Sequence, residues 1–518
     1  MANYVFGANI LENLTTGMYK TSQIIFREYI QNSCDALDKA ISLGILEDGA
    51  GKIDIWLDVD KRQITVEDNG TGISEKDFEK KLQAVAQSDK QIDKEKGFRG
   101  IGRLCGLAYC RELIFSSTFK NENVISIMRI DARKLRSRFY GEKKYTAQEV
   151  LDEVISVEKI PSDDIRAEHW FKVEMIDINS ENEILLDAAT IKDYLSFAAP
   201  VEYRNYFSFS SKIYEHARSL DFKIDEYQIK LNGEQLVKNY KTKFKIRNGE
   251  DDIFDLSFKD FYDVDGNLIA WAWVGLSTFK GVIEQTAKNP NNEMRSIRLR
   301  KGNIQIGDAD ALQNLFREER GIHYFIGEVF AVDKNLIPNS QRDYFIENAA
   351  LRKFETALKN YFEELYKVYN LASDLNSAIK RVKDQEVAEE KFKNQNFVSK
   401  NHERDEEKKL AAMKEKATDS VRKIERKYQA ALDDPKNILS QVTLRIIGKP
   451  AELPKSPQKS SEVSPPKTSS AKNLNNPFPK LNRKERKLVS NILDVIRENV
   501  DAKTFEKLQA KILEAVNK

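Results

Sequence analysis

The chain of 518 residues is poor in several residue types, and each shortage excludes a class of protein. Its three cysteines (Cys34, Cys105 and Cys110) form no CxxC pair and are too few for a disulfide framework, which fits a reducing compartment. Four histidines leave little material for a histidine-rich metal site. No apolar run approaches the roughly 18 residues of a membrane span, and no signal-like segment opens the chain, so we expect a soluble cytoplasmic protein.

An excess of one charge is also lacking, because 84 Lys and Arg nearly balance 82 Asp and Glu. The net charge of +2 therefore offers no whole-chain electrostatic argument for binding nucleic acid or acidic lipid. The length exceeds what one hydrophobic core usually supports, which predicts two to four domains.

Proline is scarce except near the C-terminal end, where seven of the twelve prolines lie between Pro450 and Pro479. This Pro/Ser/Lys-rich composition predicts a disordered linker over 441–480. The preceding residues 371–440 are rich in Glu, Lys, Gln and Ala, which predicts a charged helical region and leaves a coiled coil open. Residues 481–518 carry apolar side chains at helical spacing, which predicts a helical hairpin that docks on another surface.

Most of the remaining chain alternates predicted helices and strands, as expected for an α/β fold. Residues 20–43 have a helical pattern, and KIDIWLDV and RQITVED alternate apolar and polar residues as a pair of strands. The pattern predicts a first domain over 1–198 and a second α/β domain over 199–370 that closes in a helix.

The predicted helix contains a polar motif, REYIQNSCDALDKA. Glu28, Asn32 and Asp35 fall at positions i, i+4 and i+7 with Ala36 beside them, so they share one face. An amide oxygen can coordinate Mg²⁺, and a glutamate can act as a general base. The alternative for this motif alone is an ordinary solvated helix face.

A second motif, VEDNGTGIS, places Asp68 at the end of a predicted strand, followed by Gly70 and Gly72. The carboxylate can accept a hydrogen bond from an exocyclic amine, while the glycines let a ring approach the backbone. A simple Asp-Asn-Gly turn is the alternative.

A third motif, KGFRGIGRLCG, contains Gly97, Gly100, Ile101 and Gly102 ahead of an apolar run. Glycine amides at the start of a helix can bind an anion such as a phosphate. The spacing differs from the GxGxxG and GxxxxGK[ST] patterns of other nucleotide-binding loops.

The order and spacing of the three motifs resemble those of the GHKL superfamily of ATPases. The resemblance implies a Bergerat-fold α/β sandwich at the N-terminus, a middle or transducer-like α/β domain after it, and bound ATP with Mg²⁺. It implies Glu28 as general base, Asn32 as the Mg²⁺ ligand and Asp68 on the adenine amine, with a mobile lid over 76–96. The other implied nucleotide contacts are Asp35, Ala36, Gly70, Gly72, Gly97, Gly100, Ile101 and Gly102.

One departure from the superfamily pattern lies in the adenine pocket. Members usually carry a Gly-Thr pair on a late strand, whereas the matching strand here reads HWFKVEM without threonine. A contribution of Trp170 or Phe171 to the pocket is therefore in doubt.

Within the superfamily, the segment GEVFAVDKNLIPNSQRDYF resembles the middle domain of the ninety-kilodalton heat-shock chaperones. Asn339 and Arg342 then take the places of a loop asparagine and of an arginine that reaches the γ-phosphate of ATP. The alternative is that Arg342 caps a surface helix through Asp343, and Lys301 is a second candidate cation. The large C-terminal domain of these chaperones has no counterpart, so the chain resembles a shortened, divergent relative.

Two functions remain open from the sequence. The first is an ATP-hydrolysing, chaperone-like switch that closes and dimerises on ATP and binds a protein client or a neighbouring gene's product through 481–518. The second is a MutL- or MORC-type DNA-associated clamp or sensor, including a role in bacterial antiphage defence. The basic stretches RKLRSR and RSIRLRK and the net charge of +8 over 441–518 favour the second, although solvated surface is the simpler explanation. The intact Glu28 argues against ATP binding without turnover.

Overall fold

The structure is a computed structural model that describes residues 7–15, 21–84, 102–139, 145–162, 165, 167–246, 249–283, 294–395, 397, 400–448 and 478–517. It divides into two compact units, Met1–Tyr366 and Lys367–Lys518. We describe each unit by itself. The first contains two sheets with their helices, and the second is helical, so the predicted α/β architecture with a helical C-terminal region is confirmed.

The larger sheet of the first unit has eight strands in the order β5-β4-β3-β6-β2-β1-β7-β8. Alternation of apolar and polar residues explains the strands: in β1 and β2 the side chains of Ile53, Ile55, Ile64 and Val66 are buried while their neighbours are more exposed. The strands are β1 (Lys52–Asp58), β2 (Gln63–Asp68), β3 (Cys110–Thr118), β4 (Val124–Asp131), β5 (Ile155–Pro161), β6 (Trp170–Ile178), β7 (Gln228–Leu231) and β8 (Glu234–Gln235).

The predicted domain boundary at residue 198 does not separate two sheets. β7, from the region predicted as the second domain, pairs in parallel with β1, with Ile53 opposite Ile229. The boundary prediction followed the order of elements along the chain, whereas strand pairing depends on residues distant in sequence. A strand of the second region therefore completes the N-terminal sheet.

Helix α2 (Ile24–Ser42) contacts β1 and β2 of this sheet and a second helix, α6. Twelve of its nineteen residues are buried, so α2 is an internal helix rather than an ordinary solvated one. The other helices of the region are α1 (Asn9–Thr15), α3 (Glu75–Gln83), α4 (Ala132–Ser137), α5 (Ala147–Val154), α6 (Ala188–Ala198) and α7 (Ser210–Ser219), with 3-10 turns at Gly102–Ala108 and Ser180–Leu186.

The second sheet has five strands in the order β11-β12-β15-β13-β14. Its interior holds a charged cluster in which Glu328 accepts hydrogen bonds from Lys238, Arg300, Tyr203 and Tyr240. Burial together with the neighbouring Arg300 lowers the pKa of Lys238 to about 7. The strands of the region are β9 (Lys243–Ile246), β10 (Gly249–Asp252), β11 (Asp255–Tyr262), β12 (Leu268–Leu276), β13 (Ser296–Lys301), β14 (Ile304–Ile306) and β15 (Ile326–Ala331), with 3-10 turns at Gln313–Leu315 and Glu319–Tyr324.

The division between the units falls inside a single helix, α8 (Ala349–Asn394). The predicted boundary at 370 is therefore not a break in the chain's secondary structure. No glycine or proline occurs between residues 349 and 394, and residues on both sides of 370 are buried, so nothing ends the helix there.

In the second unit, the later part of α8 packs antiparallel to α9 (Lys400–Asp433). Lys423 bonds to Asp374 at 2.7 Å, and further towards the C-terminal end of α8, Lys414 bonds to Glu389 at 3.2 Å. The charged helical region predicted over 371–440 is thus two helices packed side by side, with a narrow apolar seam.

Helix α10 (Ile438–Ile447) runs into the segment predicted as linker from residue 441. Val442 and Ile447 are buried, and α10 packs on α9, so apolar burial extends the fold beyond the predicted boundary. The rest of the predicted linker, 449–477, lies outside the described residues.

The predicted hairpin consists of α11 (Arg483–Asn499) and α12 (Ala502–Asn517), which enclose Leu493 and Phe505. It docks on the start of α9: Arg497 bonds to Asp405 at 2.7 Å, and the rings of His402 and Phe505 lie 5.7 Å apart. The surface on which it docks within the unit is therefore its own chain.

All three cysteines are buried and free. Burial raises the pKa of the Cys110 thiol to about 12, which keeps it protonated. Among the described helices, none combines the length and the apolar character that crossing a membrane requires.

Candidate active site

Helix α2 brings the residues of the first motif to one place. Glu28 is only 2% exposed, while Asn32 and Ala36, one and two turns further on, are half-buried and face outward from the core. Asp35 is buried on the neighbouring face. The helix therefore presents a carboxylate, an amide and a small side chain in a row at the edge of the core.

Asp68 ends β2 next to this helix and is held from both sides. Ser33 donates its hydroxyl to Asp68 Oδ2 at 2.7 Å, and the backbone N–H of Gly70 donates to Oδ1 at 2.9 Å. His169 Nδ1 in turn donates to the carbonyl of Gly70 at 2.7 Å. These bonds orient a buried carboxylate at the strand end, as the recognition of an amine requires.

Gly72 lies where the turn after β2 passes the end of β3. Its φ of +63° and the carbonyl of Thr118, 1.9 Å from where a Cβ would stand, exclude any other residue at this close approach. Ser117 bonds to the N–H of Ile73 and to the carbonyl of Trp170, which ties the same turn to β6.

The strand that lacks the expected threonine is β6, and its Phe171 lies directly opposite Asp68. Phe171 packs on Phe115, with ring centroids 6.0 Å apart, and Trp170 donates to Glu168. A phenyl ring cannot donate a hydrogen bond, so Ser33, on the other side of Asp68, is the hydroxyl at this carboxylate.

Of the glycine loop, only Gly102 belongs to the described residues. A Cβ on Gly102 would lie 2.1 Å from Glu28 Oε2, so the end of this loop rests directly on the carboxylate. Gly97, Gly100 and Ile101 lie outside the described residues, as does the predicted lid from residue 85 onward, whereas its start belongs to α3.

Arg342 comes from the region after the second sheet and reaches α2. Its Nε lies 2.7 Å from Glu28 Oε1, and its Nη1 donates to the side chain of Gln31. The residue is 7% exposed, and Asn339, not Arg342, bonds to Asp343 at 2.6 Å. The alternative of a surface helix cap is therefore wrong, because the guanidinium is buried against the motif helix.

Lys301, the second candidate cation, is occupied elsewhere. Its ammonium donates to the backbone carbonyls of Val332 and Asp333, at 3.2 and 2.7 Å. Burial lowers its pKa to about 8. Within the described part of the chain, no contact joins it to Glu28 or Asp68.

The sequence motifs missed three side chains in the same place: Arg27, Gln31 and Ser33. Gln31 and Ser33 lie between motif residues, and Arg27 precedes Glu28. The available signal was that charged and polar residues interrupt an otherwise apolar helix, but their partners in other elements could not be read from that pattern.

A family model described as "Histidine kinase-, DNA gyrase B-, and HSP90-like ATPase" matches residues 19–163, which include α2, Asp68 and the glycine loop. This region is a GHKL-type ATPase domain. The GHKL resemblance of the sequence is confirmed, and the mixed α/β structure agrees with it.

Among curated proteins, the chain is similar to the Chaperone protein HtpG of Sulfurovum sp. (strain NBC37-1), with 37% identity over 97 residues. It is also similar to HtpG of Helicobacter hepaticus, at 35% over 85 residues, and of Coxiella burnetii (strain RSA 331 / Henzerling II), at 35% over 92. These matches span 15–17% of this chain and only 14–16% of the relatives' length.

The side chains present fit an adenine nucleotide with a divalent cation. A buried carboxylate stands at a strand end, a half-buried amide and Ala36 adjoin it on α2, and the cation Arg342 lies beside Glu28. In the described ranges, no group of three His, Cys, Asp or Glu side chains is arranged to hold a metal by itself. A Mg²⁺ held by Asn32 and by phosphate oxygens agrees with that donor set.

Proposed function

We propose that this protein is an ATP-hydrolysing, chaperone-like conformational switch. The observation that carries the proposal is the contact between Arg342 and Glu28, because it joins an arginine of the second region to the candidate general base. The ATPase domain and the chaperone names of the relatives support the same function.

In this proposal the residues of α2 and β2 bind the nucleotide. Asp68, held by Ser33 and Gly70, accepts the hydrogen bond of the adenine amine. Asn32 directs its amide oxygen to Mg²⁺, which neutralises phosphate charge when bound. Gly102 leaves room beside Glu28, where a side chain would block the reacting end of the nucleotide.

Glu28 and Arg342 then divide the chemistry. The Glu28 carboxylate accepts a proton from the attacking water, and the guanidinium of Arg342 stabilises the negative charge that develops on the transferred phosphoryl group. The permanent charge and planar fork of arginine suit this task. Their contact keeps both groups within reach of one phosphate.

The test is the Glu28→Ala variant, assayed for ATP binding by calorimetry and for phosphate release. We expect ATP affinity close to that of the parent and hydrolysis roughly 100-fold slower or more, because a general base contributes about 10²–10⁴-fold to the rate. Hydrolysis at the parent rate would refute the role of Glu28.

We also propose that ATP closes the protein into a dimer. Glu28→Ala should then accumulate as an ATP-loaded dimer, whereas Arg342→Ala should stay monomeric because it loses the contact between the second region and the nucleotide. Light scattering of both variants with and without ATP separates these outcomes, and identical masses in every condition would contradict the proposal.

The C-terminal hairpin is the proposed binding surface for a protein partner. Leu488, Ile492 and Val495, at positions i, i+4 and i+7 of α11, are 61%, 48% and 60% exposed and form an unburied apolar stripe on a helix whose other face is docked. Four basic residues adjoin the stripe at the start of α11, namely Arg483, Lys484, Arg486 and Lys487. Charge complementarity therefore favours an acidic partner with an apolar centre.

The hairpin proposal is tested with Ile492→Glu, which changes the centre of the stripe and leaves the buried Leu493 in place. Capture of the product of a neighbouring gene should be lost while the helical circular dichroism is retained. Asn491→Glu, beside the stripe on an exposed position, is the matched control. Equal capture by the parent and both variants would contradict the proposal.

The second candidate, a DNA clamp, has less support from the contacts of its basic stretches. Arg298 bonds to Gln305 and Arg300 to Glu328, so both arginines are buried within the second sheet. Arg136 donates to the carbonyls of Leu107 and Cys110. Side chains engaged in this way do not form a phosphate-binding surface, which favours the protein partner.

A further inference from the structure

Arg27, the residue immediately before Glu28, is a buried cation that the proposed chemistry does not use. It is 2% exposed, and its Nη1 donates to the backbone carbonyls of Gln305 and Gly307, at 3.2 and 3.3 Å. Among the described residues, its Nε and Nη2 have no hydrogen bond partner. The side chain thus joins the ATPase helix α2 to the loop that follows β14.

The same loop supports Arg342. The N–H of Gly307 donates to the carbonyl of Arg342 at 2.8 Å, and Arg342 has a φ of +53°, which is uncommon for a residue with a side chain. The side chain of Gln305 is fixed as well, because its Nε2 donates to the Gly307 carbonyl and its Oε1 accepts from Arg298.

These contacts close a ring. Two adjacent residues of α2 hold the second region at two points: Arg27 holds the backbone beneath Arg342, and Glu28 holds its guanidinium. A shift of the Gly307 loop would therefore move the Arg342 backbone away from the reacting end of the site. The contacts span 280 residues along the chain, so only the fold creates them.

We propose that Arg27 is a positioning residue for the ATPase reaction, which orients Arg342 through the Gly307 loop. This inference rests on the proposed function. A buried guanidinium with two unused N–H groups is costly to desolvate, whereas a methionine would pack in the same volume without that penalty. The exchange of carbonyl contacts for a fixed arginine explains why the charge is there.

The experiment is a double-mutant cycle in kcat between Arg27→Met and Arg342→Ala. Because a displacement of about 1 Å can cost about 10²-fold in rate, we expect Arg27→Met to lower kcat roughly 10- to 100-fold with an unchanged Kd for ATP. In the Arg342→Ala background, the same change should lower kcat less than about twofold, since the group it positions is gone. Arg27→Lys should restore part of the rate, because an ammonium can still donate to a carbonyl.

The matched control is Arg136→Met. Arg136 also donates to two backbone carbonyls, those of Leu107 and Cys110, but it has no link to Arg342 among the described contacts. Its effect on kcat should therefore be the same factor with and without Arg342. If Arg27→Met behaves like Arg136→Met, its role is structural and the inference is overturned.

Gly307→Ala provides a second variant should Arg27→Met not fold. With a φ of +68° and the Asp343 carbonyl 2.6 Å from the new Cβ, alanine must displace the loop that carries Arg342. We expect the same loss in kcat, again absent in the Arg342→Ala background, and additive effects would overturn the inference. A parent protein without any ATP hydrolysis would instead refute the proposed function itself.

Discussion

The ion pair between Glu28 and Arg342 permits a prediction that separates stability from catalysis. Both side chains are almost fully buried, with exposures of 2% and 8%, and the atoms Arg342 Nε and Glu28 Oε1 are 2.7 Å apart. Arg342→Ala leaves the Glu28 carboxylate buried without its partner, and Glu28→Ala leaves the guanidinium so. Each single variant should therefore be less stable than the double variant, in which no charge remains.

The size of the effect follows from the burial. Breaking a buried pair by removing one partner costs about 3–5 kcal/mol. Unfolding entropy is about 2.1 cal/mol/K per residue, so for a unit spanning Met1–Tyr366 this loss corresponds to a fall in Tm of about 4–6 °C. The double variant should lie within a few degrees of the parent, because replacing both partners removes the unpaired charge.

Differential scanning calorimetry of the four proteins at one pH measures these shifts, and phosphate release measured on the same samples shows whether activity follows. We expect activity to be lost in all three variants although stability recovers in the double variant. If the two single losses in Tm simply add in the double variant, the side chains do not interact and the reasoning from this contact is wrong.

Three further predictions concern the nucleotide, the tail and pH. Asp68→Asn should weaken ATP binding about tenfold or more in calorimetry, because it removes a charged acceptor, and unchanged affinity would refute its placement at the base. Truncation after Gly448 should leave ATP affinity intact and abolish partner capture, whereas retained capture would exclude the hairpin. Burial lowers the pKa of His402 below its usual 6.5, so docking of the hairpin should be fully stable above about pH 6.5 and weaken as the pH falls through the lowered value. Limited proteolysis between pH 5 and 8 would detect this, and His402→Phe should remove the dependence.

Local patterns were sufficient for much of the fold. The apolar–polar alternation of β1 and β2, the helical spacing of α2 and the paired apolar sets of α11 and α12 are confirmed in the structure. Such elements depend on neighbours within a few residues, which the sequence displays directly. The boundaries at 198, 370 and 441 failed because they depend on β7 joining β1, on an uninterrupted α8 and on the burial of α10.

The site divides in the same way. The positions of Glu28, Asn32 and Asp68 followed from motifs in which spacing along one helix or one turn sets the arrangement of side chains. The sequence alone determined that these groups belong to an ATPase domain. Their partners were decided by the tertiary structure, because Arg342 meets Glu28 and Arg27 meets Gly307 across some 300 residues of chain. No local pattern encodes such a contact: it exists only because the packing of two sheets brings α2 and the Gly307 loop together.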